Sequence, residues 1–337
     1  MEQSKLAIGL PLAFLAVGAP LGKAVEELTW APAEGTTLIR VFESERESSL
    51  AEMHMVIDGE ERDPPELPDF RSTYSERITV TDELVSVGDG RPLELRRTFD
   101  ELFREAAIEA EESLSFELVS DLVDETVVFR WDEDEEEYVI EPEDESLDEA
   151  LFEWLEEDMD LRLFLPEGEV DEGDSWDVDI EAYKRMINPG GFLGFYSEEV
   201  GERDEQQEEF ARSVLDALEG DITATLDGTR DEDGVNVAVI ALAIEVSAEV
   251  DREVEADEGP ERTEAFAFER ELEGELLWNL DAGVFHSLEL EGDGTETTST
   301  IMTFSAGDRD IEFEQSRTME GTITFSARIE IEDEEEE

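Results

Sequence analysis

Histidine is the commonest general base and metal ligand, and the chain has two, His54 and His286. His54 stands between Met53 and Met55, and His286 between Phe285 and Ser287, each within a segment that reads as a strand. They are far apart in sequence, and ordinary strand positions are the expectation for both. No G-x-S-x-G turn supports a Ser-His-Asp triad. With no cysteine there is no thiol nucleophile, thiolate metal site, disulfide or lipid-modified cysteine at the mature N-terminus. The 98 Asp and Glu residues supply carboxylate pairs at every spacing, so spacing alone selects neither a glycosidase nor an aspartic protease. Gly173-Asp174-Ser175 has the wrong order for the aspartic protease loop. Asp231-Glu232-Asp233-Gly234 looks like a calcium loop until Gly234 takes the sixth place, which puts Thr229 first and Ile240 twelfth. Neither glycine-rich phosphate-binding pattern occurs. The expectation is a non-enzyme with no catalytic, cofactor-binding or metal-ligating residues. The competing class, a carboxylate-dependent hydrolase, requires two carboxylates converging in one cleft in opposed environments.

The net charge of −74, from 98 acidic and 24 basic residues, is spread along the whole chain. Such a field repels phosphate backbones and anionic lipid, so nucleic acid and anionic membrane surfaces are excluded as partners. Lysine occurs only at Lys5, Lys23 and Lys184, and every other cation is arginine. Self-repulsion on this scale is relieved by concentrated salt, because the Debye length falls from roughly 10 Å at 0.1 M to roughly 3 Å at 1 M. The composition is that of a salt-adapted protein. The alternative is a structural or surface protein whose carboxylates bind calcium through oxygen ligands.

Residues Leu6 to Gly22 form an apolar run preceded by MEQSK, and small residues at Gly22 and Ala24 suit cleavage after Ala24. Pro11, Pro20 and the glycines weaken the run as a permanent membrane helix, although an uncleaved N-terminal anchor is the alternative. The expected division is a signal peptide at 1–24, one β-rich domain at 25–331 and an acidic tail at 332–337. The stretch 166–173 is either a linker between two units or a loop within one sheet. The mature protein is expected outside the cytoplasmic membrane, in the periplasm or beyond.

Most of the mature chain alternates apolar and polar residues as strands do. TTLIRVFESE, LAEMHMVIDG, SERITVTDELVSVGDG, LSFELVSDLVDETVVFRW and VNVAVIALAIEVSAEV are examples. Asp58-Gly59, Asp89-Gly90, Asp231 to Gly234, Asp281 to Gly283 and Gly292 to Gly294 read as turns, Asp132 to Glu137 as a solvated hairpin loop, and Pro64, Pro65 and Pro68 as an irregular connection. Three helices are expected. The first runs from Thr98 with Phe99, Leu102, Phe103, Ala106 and Ala110 on one face. The second runs from Ser146 with Leu147, Ala150, Leu151, Trp154 and Leu155. The third is marked by Phe210, Val214 and Leu218. Asn188-Pro189-Gly190-Gly191 ends a further helix, and the nearby Phe192, Leu193, Phe195 and Tyr196 either line a pocket mouth or close the core.

The segment Leu165 to Trp176, LPEGEVDEGDSW, with VDIEAYKRMINPGGFLGF and the later GELLWNLDAGVFHSLELEG, resembles a class of exported bacterial β-rich proteins of uncharacterised activity. The resemblance covers the second half of the chain and implies an exported β scaffold, with no functional residues to carry over. Physically, Gly173 and Asp174 form a turn and Trp176 anchors the next strand in the core. The expected fold is mainly β (α+β): one large curved antiparallel sheet or open barrel with two or three covering helices. At the level of fold alone this is similar to bacterial lipoprotein carriers, which hold acyl chains in a half-open barrel. The leading functional expectation is a non-enzymatic, exported or envelope-associated protein that takes an apolar small molecule or lipid in the concavity of its sheet.

Overall fold

The computed structural model describes residues 28–62, 70–110, 113–144, 147–197, 205–254, 262–306 and 309–332. The segment read as a signal peptide, Pro64, Pro65, Pro68, Ser146 and the tail beyond Glu332 lie outside them. The strands are β1 (Thr37–Ile57), β2 (Glu60–Arg62), β3 (Arg71–Gly88), β4 (Arg91–Glu109), β5 (Leu114–Leu118), β6 (Thr126–Asp132) and β7 (Glu137–Pro142). After a largely irregular stretch come β8 (Ser175–Asp177), helices α1 (Ile180–Ile187) and α2 (Glu205–Asp216), and then β9 (Glu219–Glu232), β10 (Val235–Val254), β11 (Arg262–Asn279), β12 (Val284–Ala306) and β13 (Arg309–Glu332).

All thirteen strands join one open antiparallel sheet in the order β7-β6-β4-β3-β1-β13-β12-β11-β10-β9-β8, with β2 on β1 and β5 on β4. Nearly all of it is meander, as the alternating sequence requires. One long-range pairing closes the order: Thr37 of β1 lies opposite Glu332 of β13. The tight hairpins use Asp-Gly pairs with both residues at positive φ, 52° and 74° at Asp58-Gly59 and 50° and 72° at Asp89-Gly90, which matches the right-handed twist of the flanking strands.

One face of the sheet carries the core. Alternate residues of β10, from Ala238 through Ile240, Leu242, Ile244 and Val246 to Ala248, are buried there with Leu38 and Phe42 of β1, Ile78 and Val80 of β3, and Leu288 and Leu290 of β12. The cover consists of Leu28 and Trp30, the irregular segment 147–165, α1, the segment 191–197 and the end of α2. At Gly274, Gly292 and Gly321 an added Cβ would stand 1.9 Å from a carbonyl oxygen of the next strand, so only glycine admits the local bend.

Three sequence expectations fail here. The segment from Thr98 is the second half of β4, because a bulge at Asp100 sets Phe99 opposite Val80 and Glu101 opposite Thr79. Phe99 and Leu102 therefore share the core face at a spacing of three, which imitates a helical stripe. Thr98, the expected start of that helix, instead meets the Thr126 hydroxyl at 2.9 Å. The second expected helix is reduced to one 3-10 turn, Glu149–Leu151, capped by the Asp148 side chain. Beyond it the chain leaves helical geometry to bond the Gly190-Gly191 corner, with Glu156 N donating to Gly190 O and Phe192 N to Trp154 O. Gly292 to Gly294 is no turn but the interior of β12, where the missing side chain serves the bend. The third expected helix is α2, and the one ending at Asn188 is α1.

Candidate functional site

Charged residues stand at core positions of the alternation in three adjacent strands: Arg40 between Leu38 and Phe42, Asp82 between Val80 and Leu84, and Arg97 between Leu95 and Phe99. Asp82 and Arg97 face each other across β3 and β4. Arg97 forks onto Asp82, with Nε to Oδ1 and Nη2 to Oδ2 both at 2.8 Å, and also donates to the carbonyls of Glu156 at 2.9 Å and Glu157 at 2.8 Å. Arg40 bridges Asp82 to Asp160. Arg162 completes the lock through Glu157 at 2.7 Å and Asp160 at 3.1 Å, with its guanidinium over the Trp30 ring. Sheet and cover are thus joined by hydrogen-bonded charge as well as by packing.

Burial sets the electrostatics of this lock. It lowers Arg40 and pulls Arg97 down to about 10, and it raises the carboxyls of Glu157 and Asp158 above their usual range. Burial also opposes the charge on Arg162, but Asp158, Glu157 and Asp160 together hold its pKa above the ordinary arginine value. Each guanidinium is bound to protein carboxylates or carbonyls, with Arg40 Nε left without an acceptor among the described residues, so the cluster is built to hold the segment 156–162 in place.

The face opposite the core carries a groove of about 1780 Å³. Its floor is acidic: Glu271 lies directly opposite Asp293, Glu273 opposite Glu291 and Glu275 opposite Glu289. Hydroxyls of Thr322, Thr324 and Ser326 form the neighbouring row, followed by Glu43 and Glu45 of β1. Carboxylates and hydroxyls dominate the side chains of this floor, with Phe103, Ala241 and Ala243 as its apolar members. Among the described residues no group of three His, Cys, Asp or Glu side chains converges as metal ligands.

The apolar surface lies on the core side, where the long strands run past their cover. Leu50, Met53, Met55 and Ile57 of β1, Ile108 of β4, Phe116 of β5, Met302 and Phe304 of β12, and Ile311 and Phe313 of β13 share that face by register. None of them packs against the core cluster. Phe304 is 39% exposed, and Leu114 at the outer edge is 54% exposed. We call this surface the distal shelf. On the β10–β11 side it is bounded by α2, whose Phe210 ring packs edge-on against Phe266 at 5.8 Å.

The shelf also departs from the charge of the rest of the molecule. Arg46, Arg62, Arg104, Arg252, Arg262, Arg270 and Arg317 project from its side of the sheet, against Glu60, Glu76, Glu264 and Glu296. Glu47, Glu52, Glu249, Asp251, Glu312, Glu314 and Glu320 project from the opposite face of the same strands. Arg46 pairs with Glu296 at 2.8 Å, Arg104 with Glu76, and Arg252 and Arg262 share Glu264. Arg270 reaches the Tyr183 hydroxyl at 3.3 Å and lies over Phe268, with no carboxylate partner among the described residues.

The remaining sequence candidates fall elsewhere. His54 is exposed near the tip of β1 and His286 lies near the start of β12. His54 pairs with Ser316 and that residue with Ser299, thirteen residues beyond His286, so the two rings are roughly 40 Å apart at the strand rise. Trp176 packs against the core and donates Nε1 to Phe164 O at 3.0 Å. Leu193 is buried and Phe195 packs on the core beneath Arg104, so these residues help to close the core. Sequence reasoning missed the lock, whose signal was charge in an apolar register. It also missed the shelf, whose apolar residues cannot be told from core residues by alternation alone.

Comparison with protein-family models and with curated proteins yields no match. Among solved structures the chain is similar to the InvG secretin domain β-barrel from the Salmonella SPI-1 injectisome NC-base, at a TM-score of 0.16 and 10% identity over 90% of this chain. The match spans 64% of that chain, and its TM-score is too low to indicate a shared fold.

Proposed function

We propose that the protein is an exported, non-enzymatic binding protein that takes an apolar ligand or lipid on the distal shelf. One observation carries this reading: Met53, Met55, Ile57, Met302, Phe304 and Phe313 continue the apolar face of the sheet beyond the segments that cover it. Apolar surface left contiguous in a chain with a net charge of −74 costs solubility and folding specificity unless something binds there. The groove on the other face has rows of carboxylates along its floor, Glu271, Glu273 and Glu275 opposite Asp293, Glu291 and Glu289, which favour water over an apolar ligand.

The test is a native mass spectrum of the mature protein, purified from its own host in high salt, before and after organic extraction. An extractable excess mass that is lost in a Phe313→Asp variant is the expected result. A bare mass, together with no uptake of a long-chain alcohol added to the purified protein, would reject the reading.

A further inference from the structure

Resting on that reading, we propose that the shelf selects a long-chain carboxylate, with its head group on the Arg317 guanidinium and its chain running outward over Met53, Met55, Met302 and Phe313. Arg317 lies between Met53 of β1 and Thr298 of β12 and is exposed, and among the described residues no carboxylate or other group is bonded to it. Acidic residues outnumber basic ones by 98 to 24, and Arg46, Arg104, Arg252 and Arg262 of this face are each paired with a carboxylate. Around Arg317 the same face presents Met53, Thr298, Gln315 and Met319, and the diagonal carboxylate of Glu296 is engaged by Arg46.

The register sets the length of the site. Outward from Arg317 along β13 the same face presents Gln315, Phe313 and Ile311, a run of six residues or roughly 20 Å at the strand rise. That run accommodates an extended acyl chain. The charge sets the head group. One guanidinium forks onto one carboxylate and balances its single charge. A dianionic phosphate monoester would leave a negative charge uncompensated in a strongly negative field.

The experiment measures binding of a sixteen-carbon carboxylate, the matching alcohol, the alkyl phosphate and the alkyl trimethylammonium to the full chain at one fixed NaCl concentration. We expect the carboxylate to bind about tenfold more tightly than the alcohol, as a partly exposed charge-assisted hydrogen bond requires. Arg317→Gln should bring carboxylate and alcohol to equal affinity. Equal binding of carboxylate and alcohol, tighter binding of the phosphate or the ammonium, or a preference that survives Arg317→Gln would each overturn the assignment, with shelf binding itself intact. Binding of none of the four would reject shelf and head group together. Unfolding midpoints of parent and variant, which should coincide at this exposed site, separate a lost contact from a lost fold.

Discussion

Arg97 holds Asp82 by two parallel hydrogen bonds of 2.8 Å inside the core, and its remaining donors reach the backbone carbonyls of Glu156 and Glu157. A residue of β4 therefore pairs with β3 and fastens the covering segment in a single contact set.

Arg97→Met should cost about 3–5 kcal/mol, because it removes one partner of a buried pair and strips donors from two buried carbonyls. Urea denaturation at constant NaCl gives the figure, and amide exchange over 156–162 should rise in the same variant. A loss below about 1 kcal/mol would mean that the lock contributes little.

Asp158→Asn tests the charge balance of the lock. Burial holds the Glu157 and Asp158 carboxyls above their usual range, so the folded state keeps a proton that the unfolded chain releases near pH 4. The stability from that proton is complete below the ordinary carboxylate range and is lost as pH rises through the raised folded value. The variant loses the Asp158 titration and keeps that of Glu157, and its side-chain oxygen still accepts from Asp160 N. Its stability relative to the parent should therefore increase between pH 4 and pH 8. A constant or declining difference would contradict the burial argument.

Gly274→Ala places a Cβ 1.9 Å from Glu289 O, a backbone atom that cannot move alone. A loss of about 3 kcal/mol is expected. Gly294→Ala, whose Cβ meets Ile323 Cδ1 at 3.1 Å, Arg270 Cγ at 3.2 Å and Glu269 O at 3.2 Å, should cost distinctly less. Equal costs in thermal melts would argue against glycine as the source of the bend.

Glu291→Gln removes one of two carboxylates that face each other across β11 and β12. Directly opposed like charges destabilise a strand pair, so the variant should gain roughly 0.5 kcal/mol at low salt. The gain should vanish at 1 M NaCl, where screening reaches about 3 Å. A gain that is independent of salt would assign the effect to packing.

Much of this architecture was legible in the residue order because strand pairing in a meander is local. The period of two, the Asp-Gly hairpins and the long apolar alternation of β10 are all short-range signals. The stretch from Thr98 misled because a single bulge residue, Asp100, shifted the phase of β4 and imitated a helix. Gly292 and Gly294 misled because the same residue serves a turn and a tight approach between strands. The partners that Arg40 and Arg97 find in the cover were invisible, since they lie 59 to 120 residues away along the chain.

Residue order alone was enough for an antiparallel β chain, most of its turns and its strongly negative charge, because these follow from local periodicity and summed composition. Only the tertiary structure decided which apolar residues are core and which are surface. Leu242 and Phe313 look alike in their strands, but cover lies over the first and not over the second. Burial is a property of what packs above a strand, and neighbours along the chain do not encode it.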